Sequence, residues 1–431
     1  MIQVVEIRLW GDRVGALSWN AQQNLGSFQY DPNFIKKGID LSPLHMPISK
    51  DIIYTFPSLN DKTFKGLPGM LSDILPDDFG NTLINRWLEL NQIPKSKFTP
   101  LDRLCYIGTR GMGALEFHPV RHEKSKAVSE VEIDKLVALT SKILSSRESL
   151  KLNAKEAEEL TELIKVGTSA GGQRAKAIIG YSPATEQICS GQTEIAEGFQ
   201  HYLIKFDGVT DHSLNDPQGY GKIEYAYYLM AIDSGIEMMS SRMLHENGRS
   251  HFMTQRFDRL GNEKVHMQTL CSIAHFDYHA AGDYSYEDAF SIMRRLKLPA
   301  NQFRKLFKRM VFNVASRNQD DHTKNISFLM DRQGKWSLSP AYDVTYSYNP
   351  DGIWTNMHQM SINGKRDDIS FYDLVEVAKR QGISKPEQII NQVNLSISKW
   401  EEFATIAGVE KGQIVKIKKA FRLLNESSDI E

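Results

Sequence analysis

A short polar segment between two apolar stretches places the tightest constraint on how this chain can fold. Residues 316–325, SRNQDDHTKN, follow a run of apolar residues at helical spacing in residues 302–314. Residues 326–330, ISFLM, are mostly apolar and favour a short strand. The polar segment is therefore predicted to be a loop that joins a buried helix to a strand.

Asp320 and Asn325 stand five residues apart in this loop, with His322 between them. A loop with this spacing can direct a carboxylate toward an incoming hydroxyl while an amide oxygen ligates a metal ion, as in kinases. Asp343 follows a turn at Gly334 and a second strand-like run, and its carboxylate could bind the magnesium that bridges nucleotide phosphates. Such residues are also common in turns, where they cap backbone groups, so the spacing alone does not establish an active site.

A glycine-containing segment lies upstream at residues 166–180, VGTSAGGQRAKAIIG. Its glycine spacing fits the first part of a Walker A loop, but Gln173 and Arg174 stand where Lys and Ser or Thr are required. A P-loop is therefore excluded. The glycines, hydroxyls and basic residues still suit a phosphate, although a helix C-cap followed by a turn would use the same glycines.

Lys205 lies in a predicted strand, QHYLIKFDG, at residues 200–208. Alternation puts Lys205 on the face opposite Tyr202, where it could point into a cleft. A solvent-facing strand lysine is the simpler interpretation. Glu224, in the helical run that follows, could pair with Lys205 as a helix glutamate does in protein kinases.

Periodicity locates further elements. Apolar runs and alternating residues predict an N-terminal β-hairpin in residues 4–19 and strands at 52–56 and 176–181. Helices are predicted around 81–90, at 129–144 and at 153–165, and the chain after Arg259 is predicted to be mostly helical.

Composition excludes several classes of protein. The 431 residues are 41% hydrophobic and 24% charged, which predicts a globular chain of two to three domains. The 52 Lys and Arg balance 53 Asp and Glu, so no overall basic excess indicates nucleic acid or an anionic membrane. Three scattered cysteines support neither a disulfide framework nor a cysteine zinc site. Without a secretory signal or a long apolar stretch, we expect a cytoplasmic protein that has no membrane contact.

Five segments, GTSAGGQRAKA, YLIKF, QRFDR, DDHTKN and AYDV, follow one another in an order that resembles the HipA family, kinase toxins of type II toxin–antitoxin modules. The resemblance spans nearly the whole chain. It implies an α+β fold, with a two-lobed protein-kinase-like part behind an added β-rich N-terminal domain. The expected limits are 1–120 for the N-terminal domain, 121–259 for linker helices and kinase N-lobe, and 260–431 for a helical C-lobe. Because residues 1–120 hold hairpin and turn signals but no kinase motif, we expect them to pack as a separate unit.

The resemblance also implies roles for individual residues. Asp320 matches the catalytic base, and Lys205 matches the lysine that contacts ATP phosphates. Asn325 and Asp343 match the magnesium ligands. The other residues predicted to bind ATP lie in the glycine-containing loop, the hinge and the catalytic loop: Thr168, Ser169, Ala170, Gly171, Gln255, Arg256, Phe257 and His322.

The implied activity is transfer of the γ-phosphoryl group of MgATP to Ser or Thr of a protein, and aminoacyl-tRNA synthetases are among the family's known substrates. The implied partner is a helix-turn-helix antitoxin, through which any DNA contact would be indirect. Thr168 or the adjacent Ser169 would be autophosphorylated, which would limit the activity. Two alternatives stay open: a catalytically silent, nucleotide-binding corepressor module, and a kinase that acts on a small molecule.

Overall fold

The computed structural model of the chain describes residues 2–120, 133–145, 174–192, 194–209 and 219–426. The chain divides into two compact units. The first comprises Met1–Gly221 with Ser240–Met267, and the second comprises Lys222–Met239 with Gln268–Glu431. Among the described residues, no helix is both long enough and apolar enough to cross a membrane.

The first unit begins with a four-stranded antiparallel sheet. Its strands are β1 (Val4–Leu9), β2 (Asp12–Asn20), β3 (Leu25–Tyr30) and β4 (Leu115–His118), in the order β3-β2-β1-β4. Gly11 turns between β1 and β2 with a φ of 88°, a conformation that glycine adopts without strain. The predicted N-terminal hairpin is confirmed.

The strand predicted at residues 52–56 is wrong. Tyr54 exchanges two backbone hydrogen bonds with Phe28, at 2.8 and 3.0 Å, but forms only an isolated bridge. Ile52 and Ile53 are exposed, and besides Tyr54 the run contacts the sheet through the Thr55 hydroxyl, which lies 2.7 Å from that of Ser27. Alternating apolar residues could not indicate that a single position would be buried.

Short helices follow the first sheet. They are α1 (Pro32–Ile35), α2 (Asp61–Phe64), α3 (Gly69–Ser72), α4 (Asp78–Leu90) and α5 (Pro100–Ile107). Asp77 caps α4 by accepting a hydrogen bond from the backbone N–H of Gly80, and Thr99 caps α5 in a reciprocal pair with Asp102.

A second antiparallel sheet completes the first unit, and helix α6 (Ile133–Ser145) belongs to the same unit. The sheet strands are β5 (Lys176–Tyr181), β6 (Ile188–Ser190), β7 (Gln200–Lys205), β8 (Ser241–Glu246) and β9 (Arg249–Gln255), in the order β6-β5-β7-β9-β8. A short ribbon of β10 (Arg259–Leu260) and β11 (Glu263–Lys264) follows. The strands predicted around Lys205 and in residues 176–181 are confirmed.

One hydrophobic core joins the second sheet to helices of the first 120 residues. Phe79, Leu83 and Leu88 of α4 pack in the same buried cluster as Ile179 of β5 and Tyr202 of β7. The expectation that residues 1–120 pack as a separate unit is therefore wrong, because those helices bury their apolar faces against the sheet. The domain limits at 120 and 259 stay predictions.

The second unit is mainly helical. Its helices are α7 (Tyr220–Asp233, which begins at the boundary), α8 (Leu270–Ala274), α9 (Tyr286–Arg295), α10 (Ala300–Ser316), α11 (Phe371–Gln381), α12 (Pro386–Ser398), α13 (Trp400–Ile406) and α14 (Lys411–Ala420). A three-stranded sheet holds β12 (His266–Thr269), β13 (Ser327–Met330) and β14 (Trp336–Leu338), in that order. Separate helices and antiparallel sheets make this an α+β protein, as predicted.

Candidate active site

The polar segment is a loop between α10 and β13, as the sequence predicts. Helix α10 ends at Ser316, and Arg317 closes it in the left-handed conformation with a φ of 61°. Strand β13 begins at Ser327, after a short 3-10 turn at Thr323–Asn325. Buried apolar residues of α10 and β13 fix both ends of the loop.

Three contacts orient Asp320. The hydroxyl oxygen of Ser347 accepts hydrogen bonds from the backbone N–H groups of Gln319, at 2.7 Å, and Asp320, at 3.0 Å. The Asn325 amide donates to the backbone carbonyl of Asp320 at 2.7 Å. The indole N–H of Trp354 donates to Oδ1 of Asp320 at 2.7 Å. The carboxylate is held in place while its side chain remains 42% exposed, which suits a group that receives a substrate hydroxyl.

Asn325 and Asp343 line one small cavity of the second unit, with a volume of about 20 Å³. The side-chain amide nitrogen of Asn325 donates to the backbone carbonyl of Asp320. The side-chain oxygen of Asn325 is therefore the atom that could bind a metal ion. Asp343 adopts the left-handed conformation, with a φ of 51°, immediately before the buried Val344. An amide oxygen and a carboxylate are donors that magnesium accepts, so these two residues fit the ion.

His322 lies near Asp320. Its Nε2 atom is 3.9 Å from Oδ1 of Asp320, which is too long for a hydrogen bond, and its ring lies 5.4 Å from that of Tyr278. Nothing in these contacts assigns His322 to ATP, so that role stays a prediction.

Sequence reasoning missed Asp321, the buried neighbour of Asp320. Its Oδ1 accepts from the backbone N–H of Gln359 at 2.8 Å. Its Oδ2 lies 2.8 Å from Nδ1 of His358 and accepts from the Tyr286 hydroxyl at 2.9 Å. Burial acts to raise the pKa of Asp321, but the His358 imidazole and these hydrogen bonds outweigh it and hold the pKa below its ordinary value. The doubled aspartate of SRNQDD was the available signal.

Lys205 lies in the first unit, at the end of β7. It is half-buried, pairs in register with Lys176 of β5 and Phe252 of β9, and its Nζ lies 6.0 Å from the centre of the Phe252 ring. Glu224 belongs to the second unit, so the proposed pairing of Lys205 with Glu224 stays a prediction.

The predicted hinge, residues 255–257, begins at Gln255, the last residue of β9, and the guanidinium of Arg256 is bound to a buried carboxylate. Its Nε and Nη2 donate to the two oxygens of Asp258 at 2.8 and 2.7 Å. Arg259 donates to Asp258 Oδ2 at 2.9 Å and to the carbonyl of Gly113 at 3.0 Å. The charged group of Arg256 thus has a structural contact, and the role of Arg256 in ATP binding stays a prediction. Gln255 and Phe257 are half-buried on either side.

The same contacts strongly perturb Asp258. Burial acts to raise the pKa of this carboxyl, but the guanidinium groups of Arg256 and Arg259 outweigh it and hold the pKa well below its usual range. Burial also lowers the pKa of Arg259 to about 10. The QRFDR segment noticed in the sequence therefore encodes an internal ion network.

The glycine-containing loop lies outside the described residues. This holds for Thr168, Ser169, Ala170 and Gly171, and for the helix predicted at 153–165. The description resumes at Arg174, whose guanidinium stacks 3.7 Å from the centre of the Tyr220 ring.

Comparison with known families decides what kind of protein carries this loop. The family model described as the HipA-like C-terminal domain matches residues 168–400, and the HipA N-terminal domain matches residues 5–118. The chain belongs to the HipA family. The recognition made from the five sequence segments is confirmed.

Individual proteins that resemble this chain share 25% or less of its sequence. A Sinorhizobium fredii protein named "Putative kinase Y4mE" is 25% identical over 273 residues, and the match spans 58% of the length of either protein. The solved complex of the Shewanella oneidensis MR-1 toxin–antitoxin system, HipA and HipB with operator DNA, aligns with a TM-score of 0.68 at 16% identity. That alignment covers 96% of this chain and 95% of the solved one, so the fold is that of HipA.

A Helicobacter pylori proinflammatory kinase, CtkA, aligns with a TM-score of 0.33 at 13% identity, over 52% of this chain and 88% of that one. An overlap this weak adds nothing to the assignment.

Proposed function

We propose that this HipA-family chain is a kinase that transfers the γ-phosphoryl group of MgATP to a Ser or Thr hydroxyl of a protein. The observation that carries the proposal is the geometry of one loop. Asn325 holds the backbone of Asp320 with its amide nitrogen at 2.7 Å, and the Asp320 carboxylate remains exposed. A relative named as a kinase gives further support.

Each residue has a role in the proposed transfer. Asp320 would accept a hydrogen bond from the substrate hydroxyl and orient it toward the phosphorus atom. Asn325 and Asp343 would hold magnesium, which when bound neutralises charge on the ATP phosphates. Lys205 would contact the phosphates. The remaining contacts to ATP would come from the hinge, from His322 and from the glycine-containing loop.

The family relationship supports a proposal for the regulation and the partners of this chain. The solved relative is a HipA bound to HipB and operator DNA, which favours a helix-turn-helix antitoxin as the partner here, with DNA reached through it. The substrate would be a cytoplasmic translation component such as an aminoacyl-tRNA synthetase. Autophosphorylation at Thr168 or Ser169 would place negative charge near the ATP phosphates and limit the activity.

Labelled ATP with magnesium tests the activity on the full chain, alone and in a cell lysate. We expect phosphate on a protein substrate and, by mass spectrometry, on Thr168 or Ser169. Asp320→Asn should lower the rate at least about 100-fold, because general acid–base groups contribute that much or more. Asp343→Asn should act similarly, because phosphate charge would be left uncompensated.

Asp351→Asn is the matched control, because Asp351 is an exposed carboxylate of the same unit and should keep the full rate. Transfer that survives Asp320→Asn would contradict the proposed chemistry. A protein that binds ATP but labels neither itself nor any lysate protein would favour the silent corepressor module. A labelled small molecule would favour a metabolite kinase.

A further inference from the structure

A downstream segment folds back over the loop that carries Asp320. Residues 345–359, here called the strap, lie in the same unit as that loop. Ser347 accepts from two backbone N–H groups of the loop, Trp354 donates to the Asp320 carboxylate, and Gln359 donates its backbone N–H to Asp321. The strap therefore contacts the loop at its backbone and at both aspartates.

Trp354 is the strap residue that reaches the proposed reacting group. Its Nε1 lies 2.7 Å from Oδ1 of Asp320. An indole has one polar atom, which can only donate, so neither a ring flip nor a change of tautomer can reverse this bond. A hydrogen bond to an ionised carboxylate is among the stronger kinds.

The indole itself is held in place. The side-chain amide of Gln359 donates to the backbone carbonyl of Trp354 and to that of Met357, the latter at 3.2 Å. The Trp354 ring is half-buried and lies 6.5 Å from the ring of His279. Its neighbour Ile353 is fully exposed, which leaves Trp354 as the side chain that turns inward at this point of the strap.

The hydrogen bond from Trp354 gives the two carboxylate oxygens of Asp320 different roles. Trp354 provides the only side-chain hydrogen bond to the Asp320 carboxylate among the described residues, since His322 is 3.9 Å away. A donor on Oδ1 fixes the rotation of the carboxylate and leaves Oδ2 to receive a hydroxyl. Fixing such an orientation beforehand matters because small misplacements of reacting groups cost large factors in rate.

We propose that Trp354 is a positioning residue for phosphoryl transfer, acting through its hydrogen bond to Asp320. The inference rests on the proposed function, because it presumes that Asp320 orients the acceptor hydroxyl. It predicts that loss of the indole N–H lowers kcat while leaving the KM for ATP nearly unchanged. A tryptophan that only filled space would instead matter through its ring shape and would affect stability.

Isosteric replacement at position 354 separates these roles. In the full chain, 3-benzothienylalanine keeps the bicyclic shape but lacks the N–H, whereas 5-fluorotryptophan keeps both. We expect the first to lower kcat about 10- to 100-fold, with KM for ATP within about twofold and an unchanged melting temperature. The second should keep the full rate, as should Ile353→Ala, a control at the exposed neighbouring position.

Trp354→Phe followed by NMR adds a readout that does not require activity. The chain has 6 tryptophans, and the indole N–H signal that disappears in Trp354→Phe identifies residue 354. That signal should move in Asp320→Asn and stay unchanged in Asp351→Asn. A signal unaffected by Asp320→Asn would overturn the inference.

Full kcat with benzothienylalanine, or a change confined to KM or to the melting temperature, would also overturn it. Asp320→Asn separates this failure from failure of the proposed function. An inactive Asp320→Asn beside a fully active benzothienylalanine protein refutes only the role of Trp354. An active Asp320→Asn refutes the proposed catalysis itself.

Discussion

Two adjacent carboxylates, Asp320 and Asp321, occupy opposite environments. Asp320 points outward and is partly exposed, whereas Asp321 is buried and contacts His358, Gln359 and Tyr286. The bonds of Asp321 add to the three that orient Asp320, because they tie the loop backbone to residues far along the chain.

Removing the charge of Asp321 should therefore affect stability more than removing that of Asp320. Asp321→Asn removes the buried carboxylate that His358, Gln359 and Tyr286 contact, and losing a hydrogen bond to a charged group typically costs about 1.5–3 kcal/mol. Asp320→Asn should change the free energy of unfolding by less than about 1 kcal/mol, because the group is partly exposed. Urea unfolding of both variants measures the difference, and equal costs would contradict this role of Asp321.

The same carboxylate should make stability depend on pH. Its pKa in the folded chain lies below the unfolded value, so its contribution is present above the unfolded pKa and is lost as the pH falls through the folded pKa. The gap in unfolding free energy between wild type and Asp321→Asn should thus narrow as the solution becomes more acidic than about pH 4.

Local spacing made only part of this site visible in the sequence. Asp320, His322 and Asn325 stand within six residues, so their arrangement could be predicted from a loop. The bonds from Trp354 to Asp320 and from His358 to Asp321 span 34 and 37 residues. No periodicity links positions so far apart, and these partners became apparent only in the fold.

At the scale of elements, a buried network of charged side chains stabilises the segment between β9 and β10. Asp258 is fully buried between Arg256 and Arg259, and it also accepts from the backbone N–H of Gly113 at 2.7 Å. The donors of Arg259 reach the carbonyls of Gly111 and Gly113. This network therefore joins the residues after helix α5 to those that follow the second sheet.

Asp258→Asn should be strongly destabilising. It would leave two guanidinium groups buried beside a neutral amide, and an uncompensated buried charge costs about 3–5 kcal/mol. Asp12→Asn is the matched control, because Asp12 pairs with Lys37 on the surface and such pairs contribute about 1 kcal/mol or less. Chemical denaturation measures both. A cost for Asp258→Asn no larger than that for Asp12→Asn would show that the network is dispensable.

Whole-molecule organisation was the least predictable level. The strands and the long helices have periods that a sequence displays, and α4, α10, β5 and β7 lie where those periods indicate. The hydrophobic period of an element identifies its apolar face but not the element against which that face packs. Residues 1–120 therefore suggested an independent unit, whereas helix α4 in fact packs in one core with β5 and β7.

Deleting residues 1–120 should consequently disrupt the part that remains in the first unit. The deletion removes the apolar face of α4 from the shared core, and it removes Asp77, whose Oδ2 lies 2.7 Å from the buried Nζ of Lys176. We expect the truncated chain to bind a hydrophobic dye and to lose a cooperative unfolding transition. A truncated chain that unfolds cooperatively and still binds ATP would instead support an independent N-terminal region.

A pair of leucines in α4 tests the shared core without removing any segment. Leu88 is completely buried in the cluster that contains Ile179 and Tyr202, whereas Leu90, two residues on, is 38% exposed. Leu88→Ala should cost about 2–5 kcal/mol through lost burial and a cavity, and Leu90→Ala less than about 1 kcal/mol. The decisive measurement is hydrogen exchange in β5 and β7. If the core is shared, Leu88→Ala must accelerate exchange in those strands as well as in α4, because one buried cluster holds both. Faster exchange confined to α4 would mean that the helix and the sheet are stabilised separately.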